Sequence, residues 1–192
     1  NMKNVYLSQT NYLHGPENKN MYLPYAVGCL WAYASKDKYI SDNYTLKEIL
    51  VLREDVKKVV KRIENPYVVG FSCYVWNEEY QLELSKQIKK KFPNCLIVFG
   101  GPQVPDEPKQ YLENNTHIDI CIRGEGEEPF KQILLGNELT SIKGVHTKFF
   151  ETGHSERIED LDDIPSPYTN GIFDNLIDKH TNIDWHVMLE SN

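Results

Sequence analysis

Cysteine is scarce in this chain and never clustered. Cys29, Cys73, Cys95 and Cys121 stand far apart, so no local chelating pair is encoded. Three fall in or beside expected strands and Cys29 in an expected helix, which points to buried, reduced thiols rather than to metal ligands. Positive charge is in the minority, with 21 Lys and Arg against 28 Asp and Glu and a net charge of −7. That balance argues against nucleic acid, whose partners usually present a basic face. Long hydrophobic runs are missing too. The longest, residues 68–76, falls far short of the roughly 20 apolar residues of a membrane-spanning helix. No signal peptide opens the chain, and Asn1 ahead of Met2 reads as a cloning remnant. A cytoplasmic protein with neither membrane nor nucleic-acid partner is the expectation.

What is present suits a globular domain. The 192 residues can enclose one good-sized core, and 40% hydrophobic with 26% charged residues is an ordinary composition. The pattern alternates strand with helix. Residues 4–10 (NVYLSQT) read as a strand, 24–35 as a helix opened by Pro24, and 44–52 as a second strand. Asp55 caps a helix carrying Val56, Val59, Val60 and Ile63 on one face. The run Val68-Val69-Gly70-Phe71-Ser72 is a central strand, followed by a polar and aromatic loop and a helix over 78–92. That helix begins acidic (Glu78, Glu79) and ends basic (Lys89, Lys90, Lys91), in keeping with its dipole. Strand 95–99, helix 106–114, strand 118–122 and a helix from Glu127 stopped by Gly136 complete the series. Uniformly apolar strands separated by helices predict an α/β fold. Its form is a Rossmann-like, flavodoxin-like open parallel sheet of five strands, with helices on both faces. Residues 144–150 and 155–158 then suggest a hairpin, 160–175 an extended linker, and 186–189 the start of one more strand. The domain reading is 1–142 for the sheet and 143–192 for hairpin and linker.

In such sheets ligands sit beyond the carboxyl ends of strands, so the loops there are the candidate site. They contribute Gln9, Thr10 and Asn11 after the first strand, and Ser72, Tyr74, Val75, Trp76 and Asn77 after the central one. Gly100, Gly101, Pro102 and Gln103 follow the next strand, and Gly124, Glu125, Gly126 and Glu127 the last. Paired glycines let a backbone approach a ligand closely or serve a tight turn. Tyr74 and Trp76 offer a face for a flat ring system or pack as core. Asn77 stands where an N-cap would. Gly124-Glu125-Gly126-Glu127-Glu128-Pro129 resembles a dinucleotide loop, but Pro129 takes the place of its third glycine and the glutamates repel pyrophosphate. No residue is assigned to catalysis or to metal ligation.

Four strings in order, residues 69–77 (VGFSCYVWN), 98–103 (VFGGPQ), 122–129 (IRGEGEEP) and 164–171 (IPSPYTNG), resemble the N-terminal cobalamin-binding domain of cobalamin-dependent radical SAM enzymes. The resemblance covers nearly the whole chain. It implies base-off cobalamin, its nucleotide tail beside the strand ends and its corrin facing a radical SAM core domain of the same polypeptide. That core would carry a [4Fe–4S] cluster and S-adenosylmethionine, and methyl transfer to an unactivated substrate is the implied reaction. The Cys-x-x-x-Cys-x-x-Cys motif of such a core is not in these residues. Residues 187–192 are similar to the strand that precedes it, so this piece should bind cofactor without catalysing.

Many cobalamin domains outside this family supply an axial histidine from Asp-x-His-x-x-Gly. His14 has Tyr12 and Glu17 at the required places, and His180 and His186 have Ile183 and Leu189 in place of the glycine. No histidine ligand is expected, and His117, His146 and His154 read as surface or loop residues. Two other functions stay open: a flavodoxin-like module for another flat or nucleotide ligand, and a non-catalytic interaction domain. Oligomeric state has no sequence signal.

Overall fold

A computed structural model describes residues 1–187. Five of its strands are parallel: β1 (Lys3–Asn11), β3 (Tyr44–Leu52), β4 (Pro66–Ser72), β5 (Leu96–Gly100) and β6 (Ile120–Ile122). Their order is β3-β1-β4-β5-β6, the doubly wound arrangement of flavodoxin-like folds. Its winding reverses between β1 and β4. A sixth strand, β7 (Val145–His146), lies antiparallel at the margin beside β6.

Both faces of the sheet are covered, which is why its strands read as near-continuous apolar runs. Val5, Leu7, Val68, Val98 and Ile120 face one core, shared with α1 (Tyr25–Ser35) and α6 (Glu127–Leu134). Tyr6, Val69, Phe71, Ile97 and Phe99 face the other, under α3 (Val56–Arg62), α4 (Glu78–Lys91) and α5 (Lys109–Asn114). Asp55 caps α3 by accepting from the Lys57 N–H, and Gly136 ends α6 with φ of 76°. Pro105 and Pro108 keep residues 101–108 in turns, so α5 begins later than the sequence suggests. A further helix, α2 (Lys38–Asn43), was not expected; Asp37 caps it by accepting from the N–H groups of Tyr39 and Ile40.

Three features correct the sequence reading. The sheet has six strands rather than five, because the first arm of the expected hairpin joins its edge. The second arm, 155–158, forms no strand. Instead the Ser155 N–H and hydroxyl donate to the carbonyls of Arg123 and Glu125, so this segment lies across the β6–α6 loop. His146 is buried on β7, not a surface residue, with its Nδ1 3.5 Å from Glu151.

Beyond 160 the chain is not the extended linker the sequence suggests: a 3-10 turn at Leu161–Asp163, turns over 167–173 and α7 (Asp174–Lys179) occupy most of it. Phe173, Leu176 and Ile183 enter the first core. Gly28 of α1 makes room for this segment, since a Cβ there would meet Phe173 Cζ at 2.5 Å and Pro167 Cβ at 2.8 Å. The last described strand, β8 (Asp184–His186), pairs in parallel with β2 (Asn20–Tyr22) as a separate two-stranded ribbon. It begins two residues earlier than expected, and residues 188–192 lie outside the described part of the chain. Among the described residues no helix is long and apolar enough to cross a membrane.

Candidate functional site

The candidate loops do meet at the carboxyl edge of the sheet. Cys73 N–H donates to the Gly100 carbonyl at 2.8 Å and Gln103 N–H to the Cys73 carbonyl at 3.1 Å, which binds the β4–α4 loop to the β5–α5 loop. Gly101, at φ 96°, is needed for that junction: a Cβ would stand 2.6 Å from Cys73 O and 2.7 Å from Cys73 N. Its glycine is therefore explained by loop packing. Gly124, at φ 89°, answers to the crossing segment in the same way, because a Cβ would lie 2.5 Å from Ser155 Oγ.

Asn77 holds the N-cap position of α4 without capping it. Its carboxamide turns inward, accepting from Tyr74 N–H at 2.8 Å and donating to the carbonyls of Thr10 at 3.0 Å and Ser72 at 3.2 Å. The residue is 1% exposed, so it sets the loop rather than reaching outward. Beneath it, Gln81 donates to Ser72 O at 2.7 Å and pairs with the Ser8 hydroxyl. Thr10 is as deeply buried, and its Oγ1 has no hydrogen-bond partner. Gln9 accepts from Val27 N–H at 3.2 Å, which ties β1 to α1.

Outward from this polar floor stand Trp76, 43% exposed, and Val75, 77% exposed. The Trp76 ring stacks on Tyr74 with centroids 4.6 Å apart and planes 14° from parallel. Gln9, Thr10 and Asn11 share a small hollow with Tyr74 and Trp76, closed on its far side by Tyr22 and Leu23. A larger cavity of about 180 Å³ lies beside it, between the ends of β4, β5 and β6 and the helices α1 and α6. Ser72, Gly100, Gly101, Gly124, Glu125, Gly126 and Glu127 line its mouth. Pro102 and Gln103 lie outside the lining of both hollows. Glu125 accepts from Ile158 N–H at 3.2 Å and lies 3.9 Å from Arg157 Nε. Sequence reasoning missed the inner walls, Ala26, Leu30, Val98, Ile122 and Phe130, because an apolar residue facing a cavity reads the same as one facing the core.

Burial pushes the Cys73 thiol well above its ordinary value and the Cys121 thiol up to about 12, so both stay protonated and inert. All four cysteines are buried, as the sequence suggests. His14 stacks on Tyr22 at 5.1 Å, and its main chain pairs with Asn20.

A crevice at the reversal point of a doubly wound sheet, floored by buried polar groups and rimmed by glycine loops and a stacked aromatic pair, defines a cofactor-holding α/β domain. More particularly, the chain belongs to the B12 binding domain family, whose model matches residues 38–134. It is 34% identical over 169 residues to the cobalamin-dependent radical SAM methyltransferase TokK of Streptomyces tokunonensis, covering 83% of this chain and 25% of that protein. It is 31% identical over 165 residues to the 2-(S-pantetheinyl)-carbapenam-3-carboxylate methyltransferase of Streptantibioticus cattleyicolor, covering 81% and 24%. A more distant relative is the anaerobic magnesium-protoporphyrin IX monomethyl ester cyclase of Synechocystis, 25% identical over 117 residues, or 57% of this chain and 23% of that one. The chain thus spans about a quarter of the length of the relatives it matches.

The residues fit cobalamin as the cofactor. A cavity of about 150 Å³ admits one benzene ring, so the present one, at about 180 Å³, accepts a nucleotide base but not a corrin. The corrin would have to lie outside, where Tyr74, Val75 and Trp76 stand.

Proposed function

We propose that this chain is the cobalamin-holding module of a larger radical SAM enzyme. The observation that carries the reading is the apolar cavity opening among three glycine-containing loops, directly beside an exposed aromatic stack. Gln9, Thr10, Asn11, Tyr74, Val75 and Trp76 would form the bed of the corrin, with Asn77 holding that bed in place. Ser72, Gly100, Gly101 and the loop from Gly124 to Glu127 would admit the tail, with Pro102 and Gln103 contributing only through the turn that binds Cys73. Cobalamin would be held base-off and without a histidine ligand, since His14, His180 and His186 each lack the Asp-x-His-x-x-Gly setting. When bound, the cofactor supplies a methyl carrier; this chain's residues bind and orient it and exclude water from its buried face. Residues 1–142 form the binding unit, and 143–192 lead toward a radical SAM core of the same polypeptide with a [4Fe–4S] cluster and S-adenosylmethionine. Methyl transfer is the activity of the whole, as the names of two relatives suggest, and the family resemblance implies an unactivated substrate.

The test is to mix the chain with hydroxocobalamin, desalt it and record the retained corrin absorbance. Retention near one equivalent supports the reading. A colourless, folded protein ends it.

A further inference from the structure

The cavity between β4, β5, β6 and the helices α1 and α6 has a chemistry of its own. Its inner wall is Ala26, Leu30, Val98, Ile122 and Phe130. Gly70, Gly100 and Gly126 add no side chains to it. Several polar atoms at its mouth already have partners. The Gly100 carbonyl accepts from Cys73 N–H at 2.8 Å, and the Glu125 carbonyl from Ser155 Oγ at 2.7 Å. The Ser72 carbonyl accepts from both Gln81 and Asn77. The Gly126 carbonyl accepts from Phe130 N–H at 2.9 Å. Of the two carboxylates, Glu125 is held by Ile158 N–H and Arg157, and Glu127 is likewise not free.

From this we infer that the cavity selects the base at the end of a cobamide tail, accepting a dimethylbenzimidazole and rejecting a purine. The inference rests on the reading above that the tail enters here. Dimethylbenzimidazole, joined to its ribose through one nitrogen, has a single free ring nitrogen and otherwise apolar edges with two methyl groups. Adenine in its place keeps one such nitrogen and adds two more ring nitrogens and an amine. The Ser72 hydroxyl at the mouth can meet the nitrogen that both bases share. The inner wall of Ala26, Leu30, Val98, Ile122 and Phe130 has no side-chain partner for the remaining three groups, which lose water on entering it. Apolar walls, by contrast, complement the methylated edge.

The experiment compares three corrinoids on the 192-residue chain: hydroxocobalamin, its adenine-bearing counterpart and cobinamide, which lacks the nucleotide. Retention of the benzimidazole form should exceed that of the adenine form by at least about ten-fold, since one unpartnered buried polar group suffices for a factor of that order. Gly100 gives the second arm. It needs no positive φ, and a Cβ there meets nothing closer than Ile122 Cβ at 3.9 Å, so Gly100→Leu fills the cavity without backbone strain. That variant should lose cobalamin down to the cobinamide level while holding cobinamide as the parent chain does. Gly100→Val, a smaller plug, should fall between and serves if the leucine form does not fold. Equal retention of both cobamides by the parent chain would overturn the base preference and leave cobalamin binding standing. Retention of no corrinoid at all would overturn both.

Discussion

The side-chain amide of Asn77 donates to the backbone carbonyl of Thr10 at 3.0 Å, joining positions 67 residues apart. Through the same carboxamide Asn77 also holds Tyr74 N–H and Ser72 O, so one buried group fixes the ends of β1 and β4 where the winding reverses. Asn77→Ala would strand these groups away from water. Its expected cost is about 2–3 kcal/mol, read as a lower urea midpoint, together with loss of cobalamin retention. An unchanged midpoint would show that the loops hold without it.

Trp76 should behave in the opposite way. It is exposed and stacks only on its neighbour, so Trp76→Ala should lower stability by no more than about 1 kcal/mol. Corrin retention should nevertheless fall by about ten-fold or more, as for a central aromatic anchor. His14→Ala should leave the visible spectrum of the loaded protein unaltered, as the proposed binding without a histidine ligand requires. A shifted spectrum would assign that role to His14.

Acid should weaken the fold through His117. Burial, helped by Lys86, lowers its pKa from 6.5 to about 4. Ser85 Oγ donates to Leu82 O at 2.9 Å, so in its 2.8 Å contact with His117 Nε2 it accepts. The unfolded chain therefore takes up a proton that the folded one refuses. Stability from this group is fully present above about pH 6.5 and is lost as pH falls toward about 4. Denaturation midpoints across that window, compared between the parent and His117→Gln, should show a shallower slope in the variant.

Gly28 gives a packing test. Gly28→Ala forces Phe173 and Pro167 off α1, at a cost of about 1–3 kcal/mol. Differential scanning calorimetry should show the lower melting temperature. Gly136→Ala, where a Cβ meets nothing within 4 Å but φ is 76°, isolates the backbone contribution for comparison.

Much of the sheet was legible because its strands are apolar runs bounded by Pro, Gly and Asn, a strictly local signal. The ribbon of β2 and β8 was legible only in part: a strand was expected from 186, but Asn20-Met21-Tyr22 carries no pattern and becomes a strand only by meeting β8. His146 is hidden because its strand is two residues long and covered by its own hairpin. At the site, the loops could be listed from their positions after strands. That Asn77 faces inward, that Gly101 serves Cys73 and that Phe130 walls a cavity depend on contacts between distant segments, which periodicity does not record.

The nine residues of β3 form the outermost strand on their side of the sheet. A long bare margin of that kind is a template on which a second molecule can add itself. Here α7 runs alongside it: Leu176 and Ile172 lie near Leu46 and Ile49, and Lys179 reaches Glu48 at 3.3 Å. Burial raises the Glu48 carboxyl, but Arg62 and Lys179 together bring it below its ordinary range, so this anchor remains charged in mildly acid solution. The segment around α7 thus lies beside this margin of the sheet. A version shortened to residues 1–142 would bare that strand and should associate more readily than the 192-residue chain.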